Sequence, residues 1–338
     1  MRRSRAVLVF PGQGEFDMSP FRSGALRADL EFVLASIASS PLESPAADTA
    51  CRLAKSLRDQ FPTTPAAMSL FVFAASVANF VALEGWGVRP AVLIGHAFGE
   101  IAALVCAGAI SLDRGAEIVV HRTAALVECG DGAGAMIAAR ASVSTAEQLV
   151  ARAAAGAAAV VAENSPSDVV IAGTLDGIRA VRSAAAREGI RVASLKSSWA
   201  LHHPRLMAAP AAALAQRIGA IRAGALQVNV FSPILDRYYT PFDDLGGCLA
   251  AQLKGRVHFA GAIRHLAGAG IGPFIECGPL AGIDSFIKRT IREAPLCPED
   301  LLSRAALEPD PDAIDRSVIH LAYPHHRSTL APSSPAQL

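Results

Sequence analysis

Several things are missing from this chain, and each absence narrows what it can be. No excess of either charge is present: 31 Lys and Arg stand against 30 Asp and Glu, a net charge of +1. That balance argues against a general nucleic-acid binder, which needs a basic face for the phosphate backbone. The six cysteines, at 51, 106, 129, 248, 277 and 297, form no CxxC pair and no metal-ligand spacing. They read as reduced thiols of a cytoplasmic protein rather than a disulfide framework or a zinc site. Uninterrupted apolar runs of about 18 residues, free of charge or breakers, are also lacking, so no membrane span is expected. The basic start Met1-Arg2-Arg3-Ser4-Arg5 leads into only five apolar residues before Pro11-Gly12, with no small-residue cleavage site. This is a poor secretion signal and a good buried first strand.

What is present is a chain of 338 residues, 52% of them hydrophobic, enough for one large domain and a small one. The apolar run Ala91-Val92-Leu93-Ile94 runs straight into Gly95-His96-Ala97-Phe98-Gly99-Glu100. A buried strand, a turn flanked by glycines and a helix start make a nucleophile elbow, which exposes its central residue at a helix N-terminus. That residue is ordinarily serine. Here it is Ala97, which has no oxygen with which to attack a carbonyl.

Around this elbow, strand and helix patterns alternate. Residues 6–10 read as a strand, 65–84 as a long buried helix, 91–94 as a strand, and 113–128 as a helix capped near Ser111. Further on come helices over 206–219, 245–253, 259–268 and 280–291, with strands over 226–231 and 273–275. Alternation of this kind predicts a mainly parallel sheet with helices on both faces. Between them, 135–138, 144–154 (capped by Ser144), 158–163, 168–172, 175–188 and 190–195 follow the order β-α-β-β-α-β. That is the split βαβ pattern of a ferredoxin-like unit. The expected fold class is therefore α/β: a large α/β-hydrolase-like domain (1–131 and 200–295), an inserted ferredoxin-like α+β subdomain (132–199), and a C-terminal extension (296–338). His325-His326 in that extension read as solvated tail, not as a metal site.

A set of motifs stands in order along the chain: Phe10-Pro11-Gly12-Gln13-Gly14; Gly95 to Glu100; Arg122; Asn164-Ser165-Pro166; Val169 to Gly173; His203 with Leu206-Met207; Gln252-Leu253; and Glu276-Cys277-Gly278-Pro279. The set resembles the malonyl-CoA:acyl-carrier-protein transacylase family, which includes the acyltransferase domains of polyketide synthases. Departures at Thr64, Phe98 and His202 suit a discrete, trans-acting acyltransferase of such a pathway. The resemblance covers about residues 6–290. It implies transfer of an acyl group, of malonyl type, from a coenzyme A or carrier-protein thioester to the phosphopantetheine thiol of an acyl carrier protein, by ping-pong covalent catalysis. It implies no permanently bound cofactor and no metal. The expected partners are an acyl carrier protein and a coenzyme A thioester, with neither nucleic acid nor membrane, for a cytoplasmic monomer.

Residue by residue, the resemblance puts the nucleophile at position 97 and the general base at His203, four residues before Met207. His202 is its competitor, read as pocket wall. A backbone carbonyl at Gln252 orients the base, and the amides of Gln13 and Phe98 form the oxyanion hole. Arg122, 25 residues after position 97, clamps a free carboxylate of the acyl group. His96, Asn164, Thr64 and Trp199 complete the expected substrate-binding set. Thr64 stands where many relatives have glutamine, and Phe98 where smaller aliphatics or glutamine are common, so the acyl group itself stays open. Carrier proteins are acidic, which makes Arg205, Lys254, Arg256, Lys288, Arg289 and Arg292 candidate docking cations.

The intact machinery around Ala97 favours a serine-to-alanine replacement, and so an inactivated enzyme, over a naturally dead relative. Three other readings compete: a shuttle that carries an unusual acyl group between two carrier proteins, an acyl hydrolase, disfavoured by the carboxylate clamp, and a non-catalytic carrier-protein-binding module. A general esterase is disfavoured because its histidine lies near the chain end, whereas here over a hundred residues follow His203.

Overall fold

The computed structural model describes residues 6–14, 19–21, 24–40, 44–56, 62–130, 134–279 and 282–293. Residues 1–5, Cys297 and His325-His326 lie outside the described residues. The centre of the molecule is β1 (Val7–Phe10), buried at every residue. It pairs in parallel with β2 (Val92–Gly95) on one side and β9 (Phe274–Glu276) on the other. β7 (Asn229–Ser232) adds in parallel to β2, and the short β8 (Arg237–Tyr238) folds back antiparallel onto β7. The sheet order is β8-β7-β2-β1-β9. β8 has no counterpart in the sequence reading, because two residues are too few to show a period.

A continuous apolar run suits a strand covered on both faces. Leu8 and Phe10 point into one core with α3 (Pro65–Gly85) and α5 (Leu112–Cys129). Val7 and Val9 point into the other with α10 (Phe259–Gly268) and α11 (Ile283–Glu293). α1 (Gly24–Ala38) and α2 (Pro45–Ser56) pack beside α3. By length and composition α3 could cross a membrane, with a mean hydropathy of 2.0; yet 72% of that stretch is buried inside the fold. Residues 65–84 are read above as a long buried helix, and Ser69, Ser76 and Asn79 interrupt its apolar run without adding charge.

The second sheet joins β3 (Gly134–Ala139), β4 (Ala158–Ser165), β5 (Asp168–Thr174) and β6 (Val192–Ser194) in the antiparallel order β4-β5-β3-β6. α6 (Val143–Ala154) and α7 (Leu175–Arg187) cover it. This is the ferredoxin-like arrangement. α6 is capped not by Ser144 but by Ser142, whose Oγ accepts the Thr145 amide at 3.2 Å. Ser144 is inside the helix, where its hydroxyl cannot reach a free N–H of the first turn. The small sheet is tied to the large unit beyond α9 (Leu245–Gln252): the Val257 amide donates to Val161 and the Glu163 amide to Val257. This join sets the end of β4 beside the elbow.

Candidate active site

The C-terminal ends of β1 and β2 lie side by side, with Phe10 opposite Gly95. The chain leaves β2 through the elbow and enters α4 (Gly99–Cys106). Ala97 has φ +51°, a left-handed conformation rare outside glycine. The flanking glycines are there for space. A Cβ on Gly95 would fall on the Glu100 backbone, and one on Gly99 on the Phe10 carbonyl. The amides of Gln13 and Phe98 donate to no acceptor among the described residues, as an oxyanion hole requires.

The two histidines separate by the chemistry of their neighbours. His202 Nδ1 lies 2.9 Å from the Gln252 carbonyl and 2.8 Å from that of Gly255. Carbonyls only accept, so Nδ1 carries the proton and Nε2 keeps its lone pair. His203 Nδ1 instead faces two donors, the amides of Arg205 at 3.3 Å and Leu206 at 3.2 Å. It is an acceptor closing a turn before α8 (Ala208–Ile218). The expectation that Gln252 orients His203 is therefore corrected: its carbonyl holds His202, itself at φ +66°. Burial, then the nearby charges of Arg122 and His96, push the His202 imidazole down to about 4, so it is neutral near pH 7.

Gln252 also reaches the elbow with its side chain. Nε2 donates to the Ala97 carbonyl at 2.9 Å and to Glu100 Oε2 at 3.1 Å. Glu100 accepts as well from Ser232 Oγ at 2.8 Å and Tyr239 Oη at 2.9 Å. Its burial outweighs these bonds and raises the carboxyl to about 7. The sequence reading missed this residue's role, although the glutamate closing the elbow motif was the available signal.

Arg122 is 1% exposed, and no carboxylate pairs with it among the described residues. Its Nη1 donates to Gln13 Oε1 at 2.6 Å, its Nε has no partner, and its carbon lies 5.3 Å from the Phe98 ring centroid. Burial lowers its pKa to about 10. A buried cation facing one neutral acceptor is a demand for an anion. His96 Nε2 bonds Asn164 Oδ1 at 2.8 Å and stacks edge-on against Phe259, and burial lowers its pKa.

The other expected residues make contacts of their own. Thr64 Oγ1 is spent capping α3, accepting the Ala67 amide at 3.2 Å. Trp199 packs against Gly130 at the far end of α5. Among the docking cations, Arg256 pairs with Glu147, Lys288 with Asp284 and Arg289 with Asp168. Arg205, Lys254 and Arg292 have no ion pair among the described residues.

The sequence profile of the acyl transferase domain matches residues 62–315, and the chain belongs to that family. It is 35% identical over 216 residues, 60% of its length, to the spectinabilin polyketide synthase system protein NorA' of Streptomyces orinoci. To the mycoketide-CoA synthase of Mycobacterium tuberculosis it is 30% identical over 240 residues, 70% of its length. It spans 6% of each of those proteins. The fold is similar to the malonyl CoA-acyl carrier protein transacylase of Coxiella burnetii, with a TM-score of 0.76 and 27% identity over 86% of this chain and 92% of that one. It also resembles the acyltransferase domain from module 8 of the salinomycin polyketide synthase, with a TM-score of 0.74 and 24% identity over 85% of this chain and 68% of that one.

Proposed function

We propose that this site moves a carboxylated acyl group from a coenzyme A or carrier-protein thioester to the phosphopantetheine thiol of an acyl carrier protein, and that Ala97 stands where the acyl group would be held. With serine at 97, His202 Nε2 takes the hydroxyl proton as the oxygen attacks the thioester carbonyl. The oxyanion is received by the Gln13 and Phe98 amides, donors worth about 3 kcal/mol each. The C–S bond then breaks, and His202 returns the proton to the leaving thiol. The carrier thiol reverses the sequence. His202 takes the base role in place of His203, because only its Nδ1 is locked by carbonyls.

The observation that carries this reading is Gln252. One residue holds the imidazole with its backbone and the nucleophile position with its side chain. Arg122 supports a dicarboxylic acyl group, since its guanidinium, without a carboxylate partner among the described residues, fits a bidentate carboxylate. Residues 1–131 and 200–295 supply the chemistry, while 132–199 contribute Asn164. Arg205, Lys254 and Arg292 remain the docking cations for an acidic carrier. With Ala97 the chain binds the thioester without capturing it, which also suits a carrier-binding module.

Intact mass spectrometry of Ala97→Ser with malonyl-, methylmalonyl- and longer acyl-CoA tests this. A stable acyl adduct on the serine form alone is expected, its mass naming the acyl group. Free acid released without an adduct points to a hydrolase. No adduct and no turnover overturns the transferase reading in favour of the binding module.

A further inference from the structure

Behind Arg122 a chain of neutral polar groups crosses from the loop after β1 to α3 and α5. A guanidinium only donates, so the Gln13 oxygen must face it. The Gln13 nitrogen is thereby turned the other way, where it donates to Ser69 Oγ at 2.7 Å. Ser69, 5% exposed in the second turn of α3, lies 3.1 Å from Thr123 Oγ1, which also reaches the Val119 carbonyl at 3.0 Å. Thr123 follows Arg122 on α5.

We propose that Ser69 is a positioning residue for acyl-group selection: it holds the Gln13 amide with its oxygen toward Arg122, tying the carboxylate anchor to the loop that carries the Gln13 backbone N–H. The inference rests on the carboxylate reading of Arg122 above. Without the Ser69 hydroxyl, the Gln13 nitrogen loses its buried acceptor, and its amide is free to rotate. A rotated amide sets N–H against N–H at Arg122, which must then shift or take up water. The loss falls on ligands that need Arg122 in place, and spares ligands that do not.

The chain as it stands, with Ala97, allows this to be measured as equilibrium binding by calorimetry. The parent is expected to bind malonyl-CoA more tightly than acetyl-CoA. Ser69→Ala should weaken malonyl-CoA about tenfold and leave acetyl-CoA within about twofold. Ser69→Thr, which keeps the hydroxyl, should retain the preference. Thr123→Val, which removes only the neighbour of Ser69, should give a smaller loss of the same selective kind, and serves if Ser69→Ala does not fold. Unchanged malonyl-CoA binding in Ser69→Ala overturns the proposal, as does equal weakening of both ligands, which marks a purely structural role. A parent without preference overturns the carboxylate reading itself, and this inference with it.

Discussion

Adjacent histidines with identical side chains hold opposite proton placements here, because one ring faces carbonyls and the other faces amides. In the Ala97→Ser protein, His202→Ala should cost about 10²- to 10⁴-fold in acylation rate. His203→Ala should cost far less, through the lost turn contacts. The reverse order, read by single-turnover acylation, would restore His203 as the base. The charge of Arg122 adds a second readout. After burial, it is the next cause that depresses the His202 imidazole. On the proposed reading, a malonyl carboxylate neutralises that charge and an acetyl group does not. The acidic limb of the pH–rate profile should therefore lie higher with malonyl- than with acetyl-CoA.

At the scale of single elements, the caps and turns are decided by one hydrogen bond each. α6 starts on Ser142, so Ser142→Ala should lower stability by about 1 kcal/mol in denaturant melts, whereas Ser144→Ala should be nearly neutral. The elbow is an element of a different kind. Its glycines are required by sterics, Gly95 against the following turn at Glu100 and Gly99 against the Phe10 carbonyl of β1, and the motif is short enough to be read from the sequence. Ser111 Oγ accepts the Arg114 amide, as the cap pattern predicted. Strand and helix types were legible from period and apolar runs. Element ends shifted by a few residues because the fraying turns are settled by contacts, as where the His203 turn delays α8 to Ala208.

Across the whole molecule, burial sets two opposing pH dependences. Glu84, Glu100 and Glu276 are each raised from 4.5 to about 7, by burial first. Between those values the native state holds protons that the unfolded chain has lost, so their contribution to stability is lost as pH rises through the window. His96 and His202 are lowered from 6.5, so the unfolded chain gains protons first, and stability is lost as pH falls below that value. Glu100→Gln isolates one part of this balance. Relative to the variant, the parent should lose stability as pH rises from 4.5 to 7. Parallel curves for the two in chemical denaturation would show that Glu100 is ionised throughout.

The sequence by itself determined the parallel core strand, the elbow with its missing oxygen and the ferredoxin-like insertion, because each depends on local sterics, period or a short motif, while Arg122 was marked only by the family resemblance. Which histidine has its Nδ1 held by carbonyls was decided by the tertiary structure, since those of Gln252 and Gly255 lie some fifty positions along the chain and approach only one ring. The same holds for Glu100, whose partners come from β7, the loop after β8 and α9, and for Gln13, whose amide is set by Ser69 and Arg122 from two helices. Local spacing picks out a helix cap such as Ser111, but the partners of these side chains lie far along the chain and are chosen by folding.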